Sequence, residues 1–206
     1  MNSDDLLLSV AVVAVVVSLL GMGMTYYSID SFKKTWLTGF ATATVNLTVE
    51  SNLAINFTTD LIEFGSGQVD PGISNATLDT AAGTVTNGNW TEVTQGFVLE
   101  NIGNVDCNLS FKTGKTAGNF IGGASAGGPQ YKWNATNSEA GSCVNSSATA
   151  LAVWNDWNTT GTGTKICNIF YANNTKDTIR IDIFLLIPED SKTGVLTDTV
   201  TATAST

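Results

Sequence analysis

From Leu6 to Met24 the chain reads LLLSVAVVAVVVSLLGMGM, and no charged residue lies between Asp5 and Asp30. As a helix this run is a rod of roughly 28 Å, about the hydrocarbon thickness of a bilayer. A helix apolar on every side rests in lipid or among other helices, not in water. The rest of the chain, to Thr206, is Thr-, Asn- and Gly-rich and strand-like. One apolar rod joined to one β-rich head is the organisation of a chain that anchors or polymerises.

Three roles compete for the rod: a cleaved signal, a permanent anchor, or a polymerisation helix held in the membrane before assembly. A signal peptide has a basic start and a small-residue cleavage site. Here the start is Met1-Asn2-Ser3-Asp4-Asp5, and the run ends at Tyr26-Tyr27. As an anchor, the acids before the run and Lys33 and Lys34 after it would place the head in the cytoplasm, against the sequons and cysteines that the head carries. A short basic leader, removed just before Met1, resolves that conflict. A carboxylate beside an apolar bundle needs a partner. The α-amine of a neighbouring Met1, with an ordinary pKa of roughly 7.7–8.0, is a partner for Asp5. The competing reading makes Asp4 and Asp5 a solvated helix cap.

This opening resembles the type IV pilin superfamily, which includes archaeal pilins and archaellins. In that superfamily a leader peptidase cuts before an apolar helix, the mature chain often starts with Met or Phe, and a carboxylate stands at the fifth position. Met1, Asp5 and Leu6–Met24 occupy those places, with Asp for the usual Glu. The resemblance covers about the first 40 residues. The glycine-containing opening of archaellins and the early proline of many archaeal pilins are both absent. It implies a membrane-held precursor, a partner leader peptidase, and a helical homopolymer whose assembly residues include Met1 and Asp5.

Ile29, Phe32, Trp36 and Phe40 recur at helical spacing, so the helix is expected to continue as an amphipathic rod to about residue 40. Gly21 and Gly23 permit close helix approach or a slight kink. From about Ala41 the period becomes two. Val45, Leu47 and Val49 share a face, as do Leu53, Ile55 and Phe57. Val105, Cys107, Leu109 and Phe111 form another such set, and Ile179, Ile181, Ile183, Leu185 and Ile187 another; VLTDTVTATAST suits a last strand. Gly/Ser/Asn/Pro clusters separate these runs, and the stretch from Thr113 to Gly128 reads as an exposed loop. The expected fold is α+β: a long N-terminal hydrophobic helix (1–40) followed by an antiparallel, Ig-like β-sandwich head (41–206).

Charged residues are 13% of the chain against about 25% in typical soluble domains. Net charge is −9 and histidine is absent, so solubility rests on Thr, Ser and Asn. Nine N-x-[S/T] sites stand at Asn46, Asn56, Asn75, Asn89, Asn108, Asn134, Asn145, Asn158 and Asn173. Composition alone yields about four such sites, each a weak signal by itself. The excess predicts N-glycosylation outside the cell, mainly at the sequons expected in loops: Asn75, Asn89, Asn134, Asn145 and Asn158. Of the three cysteines, Cys107 falls on the inward face of a strand and is expected to be a buried thiol. That leaves Cys143 and Cys167 for a disulfide.

Without histidine no Ser-His or Cys-His nucleophile system exists, and no phosphate-binding glycine loop precedes a helix. The cysteine spacing holds no zinc signature; the acids near Asp60, Asp70 and Asp79 lack EF-hand spacing and stay open as an alternative, a calcium site built from loop acids. Nine basic residues against eighteen acidic ones argue against nucleic acid as a partner. The WNDWN stretch with Trp133 reads as packing in preference to a sugar platform. The chain is therefore expected to be no enzyme and to need no cofactor. Two functions remain: the structural subunit of a secreted filament serving motility or adhesion, or a monomeric glycosylated surface protein held by one span. In the filament reading, Val13 and Val16 lie in the helical core. Exchange of a terminal head strand between copies, as in donor-strand fibres, is a rival route that leaves the rod without a role.

Overall fold

The apolar run and its flanks form one helix, α1 (Ser3–Thr35, 33 residues), about 50 Å long. The computed structural model describes residues 3–35, 44–145 and 150–206; helix side chains are described at positions 4 and 7–28, and Asn145 by its backbone alone. α1 runs through Gly21 and Gly23 without interruption. The expected continuation past the apolar run is present to Thr35, while Trp36 and Phe40 lie outside the described residues. The chain divides into two units, Met1–Thr48 and Val49–Thr206.

Within the second unit the described residues form two antiparallel sheets. The larger contains β1 (Ile55–Thr59), β2 (Asn75–Asp79), β3 (Thr84–Thr86), β4 (Phe97–Asn101), β6 (Gln130–Asn137), β8 (Asn155–Asp156) and β10 (Thr178–Pro188). The smaller runs in the order β11 (Val200–Ser205), β5 (Cys107–Thr113), β9 (Thr164–Phe170) and β7 (Cys143–Asn145). A helix followed by antiparallel sheets is the α+β class expected from the change of period.

The 11-residue strand β10 organises the larger sheet. β6 pairs along one edge, from Ile179 to Leu186. The other edge is shared end to end by β4, against Thr178–Ile181, and β2, against Phe184–Pro188. Between those two partners lies Asp182, 3% exposed. Its carboxylate accepts from Arg180 Nη2 at 2.6 Å and from Thr80 Oγ1 at 3.0 Å, and Arg180 Nη2 also donates to the carbonyls of Thr80 and Thr94. A buried carboxylate requires such pairing, and here it closes the gap between β2 and β4.

One apolar core draws on both sheets. Ile179, Ile181, Ile183, Leu185 and Ile187 are all buried, as their alternation predicted. Phe111 of β5 meets Trp133 of β6 edge to face, ring centroids 5.8 Å apart, and both are fully buried. Asn101 of β4 is also buried, and its Nδ2 donates to the carbonyls of Val105 and of Phe170 in β9. The start of β9 approaches β5 so closely that a Cβ on Gly163 (φ +89°) would collide with the Phe111 carbonyl. Only glycine fits there.

Three expectations are corrected. The strand expected at Val45, Leu47 and Val49 does not form, and these residues are 91%, 84% and 73% exposed. Alternation prepares a strand, but a ladder also needs a partner strand, and no described residue pairs with these. Immediately downstream the backbone is held by side chains instead: Asn104 Nδ2 donates to the Glu50 carbonyl and its Oδ1 accepts from the Asn52 N–H. Val105 precedes β5 and lies outside the strand, half-buried. The Thr113–Gly128 stretch is not wholly an exposed loop. It contains a one-turn helix, α2 (Ala117–Phe120), that delivers Ile121 to the core at 2% exposure and sets Phe120 against Tyr131. Asp190 accepts from the Ala124 and Ser125 N–H groups, which hold its carboxyl below the ordinary value.

Candidate assembly surface

Within α1, Leu7–Ser28 is a 22-residue stretch of mean hydropathy 2.5, long and apolar enough to cross a membrane. None of it is buried by the described residues. Val13 and Val16, expected in the helical core, are 61% and 49% exposed. Burying a Val or Leu side chain contributes on the order of 1.5–3 kcal/mol, so an unpartnered surface of this length is not a stable end state in water. Met1 lies outside the described residues, and with it the expected pairing to Asp5. Asp5 itself falls in the first turns of α1.

Hydropathy and period alone do not reveal one feature of this helix. Ala11, Ala14, Ser18, Gly21, Thr25 and Ser28 succeed one another at spacings of three and four, which places small side chains along a single face. Ser18 Oγ donates to the Ala14 carbonyl at 2.9 Å and Thr25 Oγ1 to that of Gly21 at 2.7 Å. Both hydroxyls are thus satisfied within the helix and can enter apolar surroundings. A Cβ added at Gly21 or Gly23 would meet no neighbour, so these glycines answer no steric demand of the described chain. Each costs about 1 kcal/mol of helix stability relative to alanine.

Cys143 of β7 and Cys167 of β9 form the expected disulfide, with Cα atoms 5.4 Å apart. It ties an edge strand of three residues to its neighbour across a sequence separation of 24. Replacing both cysteines with alanine is expected to lower stability by on the order of 3 kcal/mol, read from denaturant unfolding. Cys107 is free and buried. Burial, with a smaller contribution from Asp106, pushes its thiol from 9.0 up to about 11. A raised acid favours the folded state fully below pH 9 and loses that contribution as pH climbs towards 11. The Cys107→Ala variant should therefore lack that part of the alkaline loss of stability, and native Cys107 should resist alkylation at pH 8.

The nine sequons fall in different settings. Asn46, Asn56, Asn89 and Asn173 are exposed. Asn75, Asn108 and Asn134 lie in β2, β5 and β6 and are half-buried; Asn145 ends β7, and Asn158 is half-buried before β9. Asn75, Asn134 and Asn145, expected in loops, are thus strand residues. Tertiary pairing imposes ladders on these turn-favouring residue types. The Oδ1 atom of Asn134 is shielded from solvent.

The aromatic residues of WNDWN do not form an open platform. Trp157 packs on Tyr131 and on the fully buried Trp133 at centroid distances of 5.6 and 5.7 Å, and Trp154 packs on Phe184. Asp79 accepts from the Ala81 and Ala82 N–H groups as a turn acceptor. Among the described residues no group of three His, Cys, Asp or Glu side chains could hold a metal ion. No family model matches the chain, and neither does any curated protein or solved structure.

Proposed function

We propose that this chain is the structural subunit of an extracellular helical filament, held in the membrane before assembly and polymerised by packing of its N-terminal helix. The observation that carries this reading is the 22-residue apolar surface of α1, unburied by the described residues. It is joined by a seam of small residues whose one glycine, Gly21, meets no steric demand of the described chain. Small seams let helices approach closely, and a spacing of three and four sustained over several turns favours a left-handed crossing. The β-rich unit is then the outward-facing head, an Ig-like sandwich stapled by Cys143–Cys167. The N-terminal pattern of Met1, Asp5 and the apolar run supports membership of the type IV pilin-like superfamily, as a filament of motility or of adhesion.

The same span length favours a second reading, a monomeric surface protein anchored by α1. Electron microscopy of material sheared from cells separates the two. Filaments built of this chain support the first, whereas a protein released only by detergent supports the second. Surface exposure also predicts N-glycans on Asn46, Asn56, Asn89 and Asn173. Intact mass above the bare 21.6 kDa, with glycopeptides mapping to those sites and Asn134 unmodified, is the expected result.

A further inference from the structure

Thr44–Val49 has the composition of a strand and none of the pairing. Thr44, Asn46 and Thr48 alternate with Val45, Leu47 and Val49, with no charge, glycine or proline, and the apolar set stands in solvent. Elsewhere in the fold a strand edge is left open. β11 forms one edge of the smaller sheet and pairs there with β5 alone among the described residues. Its six residues, VTATAS, carry no charge or proline and hold register with β5 without a bulge. Charges, prolines, bulges and shortness are the usual protections of a sheet edge. The edges at β3, β7 and β8 are only two or three residues long, and β1 carries a register shift and the exposed sequon Asn56. Ala202 and Ala204 of β11 pack on the core but remain partly exposed, so the core layer is uncovered where another strand would lie.

We propose that Thr44–Val49 of one copy adds as a fifth strand to β11 of a neighbouring copy. Val45, Leu47 and Val49 extend the core layer beyond Ala202 and Ala204, while Asn46 points outward with its sequon free. The two six-residue segments match in length. Neither brings a charge into the contact between copies that each carry a net −9. The inference rests on the filament reading, because the ladder alone is too weak. Its hydrogen bonds largely replace bonds to water, while association costs translational and rotational freedom. Helix packing supplies the effective concentration that makes the pairing favourable. No strand leaves its own fold, which distinguishes the arrangement from exchange of a terminal head strand.

The test uses full-length double variants, Thr44→Cys with Thr201→Cys and Thr44→Cys with Ser205→Cys, one pair for each strand direction. Thr44→Cys with Leu61→Cys is the control. Each is oxidised after assembly, resolved without reductant and imaged in parallel. One of the two pairs should give a ladder of covalently linked copies and the control none. Adding Leu47→Asp to the productive pair should remove the ladder and leave the filaments. Hydrogen exchange on the unaltered protein gives a reading free of substitutions: the amides of residues 44–49 should become protected on assembly. Filaments with no ladder from either pair, a crosslink closed within one chain, or unprotected amides at 44–49 in assembled protein would each overturn strand addition while the filament reading stands. Absence of filaments from the unaltered chain overturns the filament reading, and strand addition with it.

Discussion

Replacing Val13 and Val16 together with aspartate is expected to abolish filaments and leave the β-rich unit folded. Each carboxylate placed at the centre of an apolar helix costs roughly 2.5–3.5 kcal/mol even in a membrane setting, so the pair weakens packing by several orders of magnitude. The β-rich unit has its own core and disulfide, so circular dichroism and its thermal transition should stay as they are. These aspartates also disfavour membrane insertion, which an anchor needs as much as a filament does. Ala14→Leu with Gly21→Leu therefore makes the sharper comparison. Both changes keep the helix apolar and preserve membrane association, yet they fill the small-residue seam. Filament loss with membrane association retained is the outcome that helix packing requires. Deleting residues 1–40 should correspondingly leave a soluble, folded monomer. Filaments grown from that deletion variant would make the head the polymerising part and refute the helix-core arrangement.

The second large effect is expected from Trp133→Ala. Trp133 is fully buried on β6, contacts Phe111 of the opposite sheet and Trp157, and donates from Nε1 to the Asp156 carbonyl at 3.3 Å. Truncating a tryptophan so placed costs about 3–5 kcal/mol through lost burial and the cavity left behind. For a unit of this size that corresponds to roughly 6–20 °C in the unfolding midpoint. Trp154, half-buried against Phe184, serves as the comparison, and its replacement by alanine should cost far less. Equal midpoints for the two variants would contradict the assignment of Trp133 to the contact between the sheets. The measurement is a thermal scan followed by near-ultraviolet circular dichroism.

How legible a feature was in the chain depended on how local its cause is. The alternation of Ile179, Ile181, Ile183, Leu185 and Ile187 marks a strand because one buried face imposes period two on neighbouring residues. The run Leu6–Met24 marks a helix because only a helix satisfies its own backbone in apolar surroundings. The Cys143–Cys167 pairing became legible once Cys107 was placed on an inward face. The small-residue seam was also present in the sequence, but its meaning emerges only when hydroxyl partners and the space around Gly21 and Gly23 are seen.

What the sequence determined by itself was thus the kind of element each periodic segment becomes, because propensity, period and burial act between residues a few positions apart. Tertiary structure alone decided which elements meet. Val45, Leu47 and Val49 satisfy every local condition for a strand and remain unpaired, since pairing needs an edge that local pattern cannot supply. Ile121 enters the core from a glycine-rich stretch that reads as loop, because one helical turn and the Asp190 contact fold it inward. The Arg180–Asp182–Thr80 cluster joins residues about a hundred positions apart, where β2 and β4 abut along β10. A carboxylate looks solvated in a sequence, and only the closing of two strands around Asp182 makes it a buried group that must be paired.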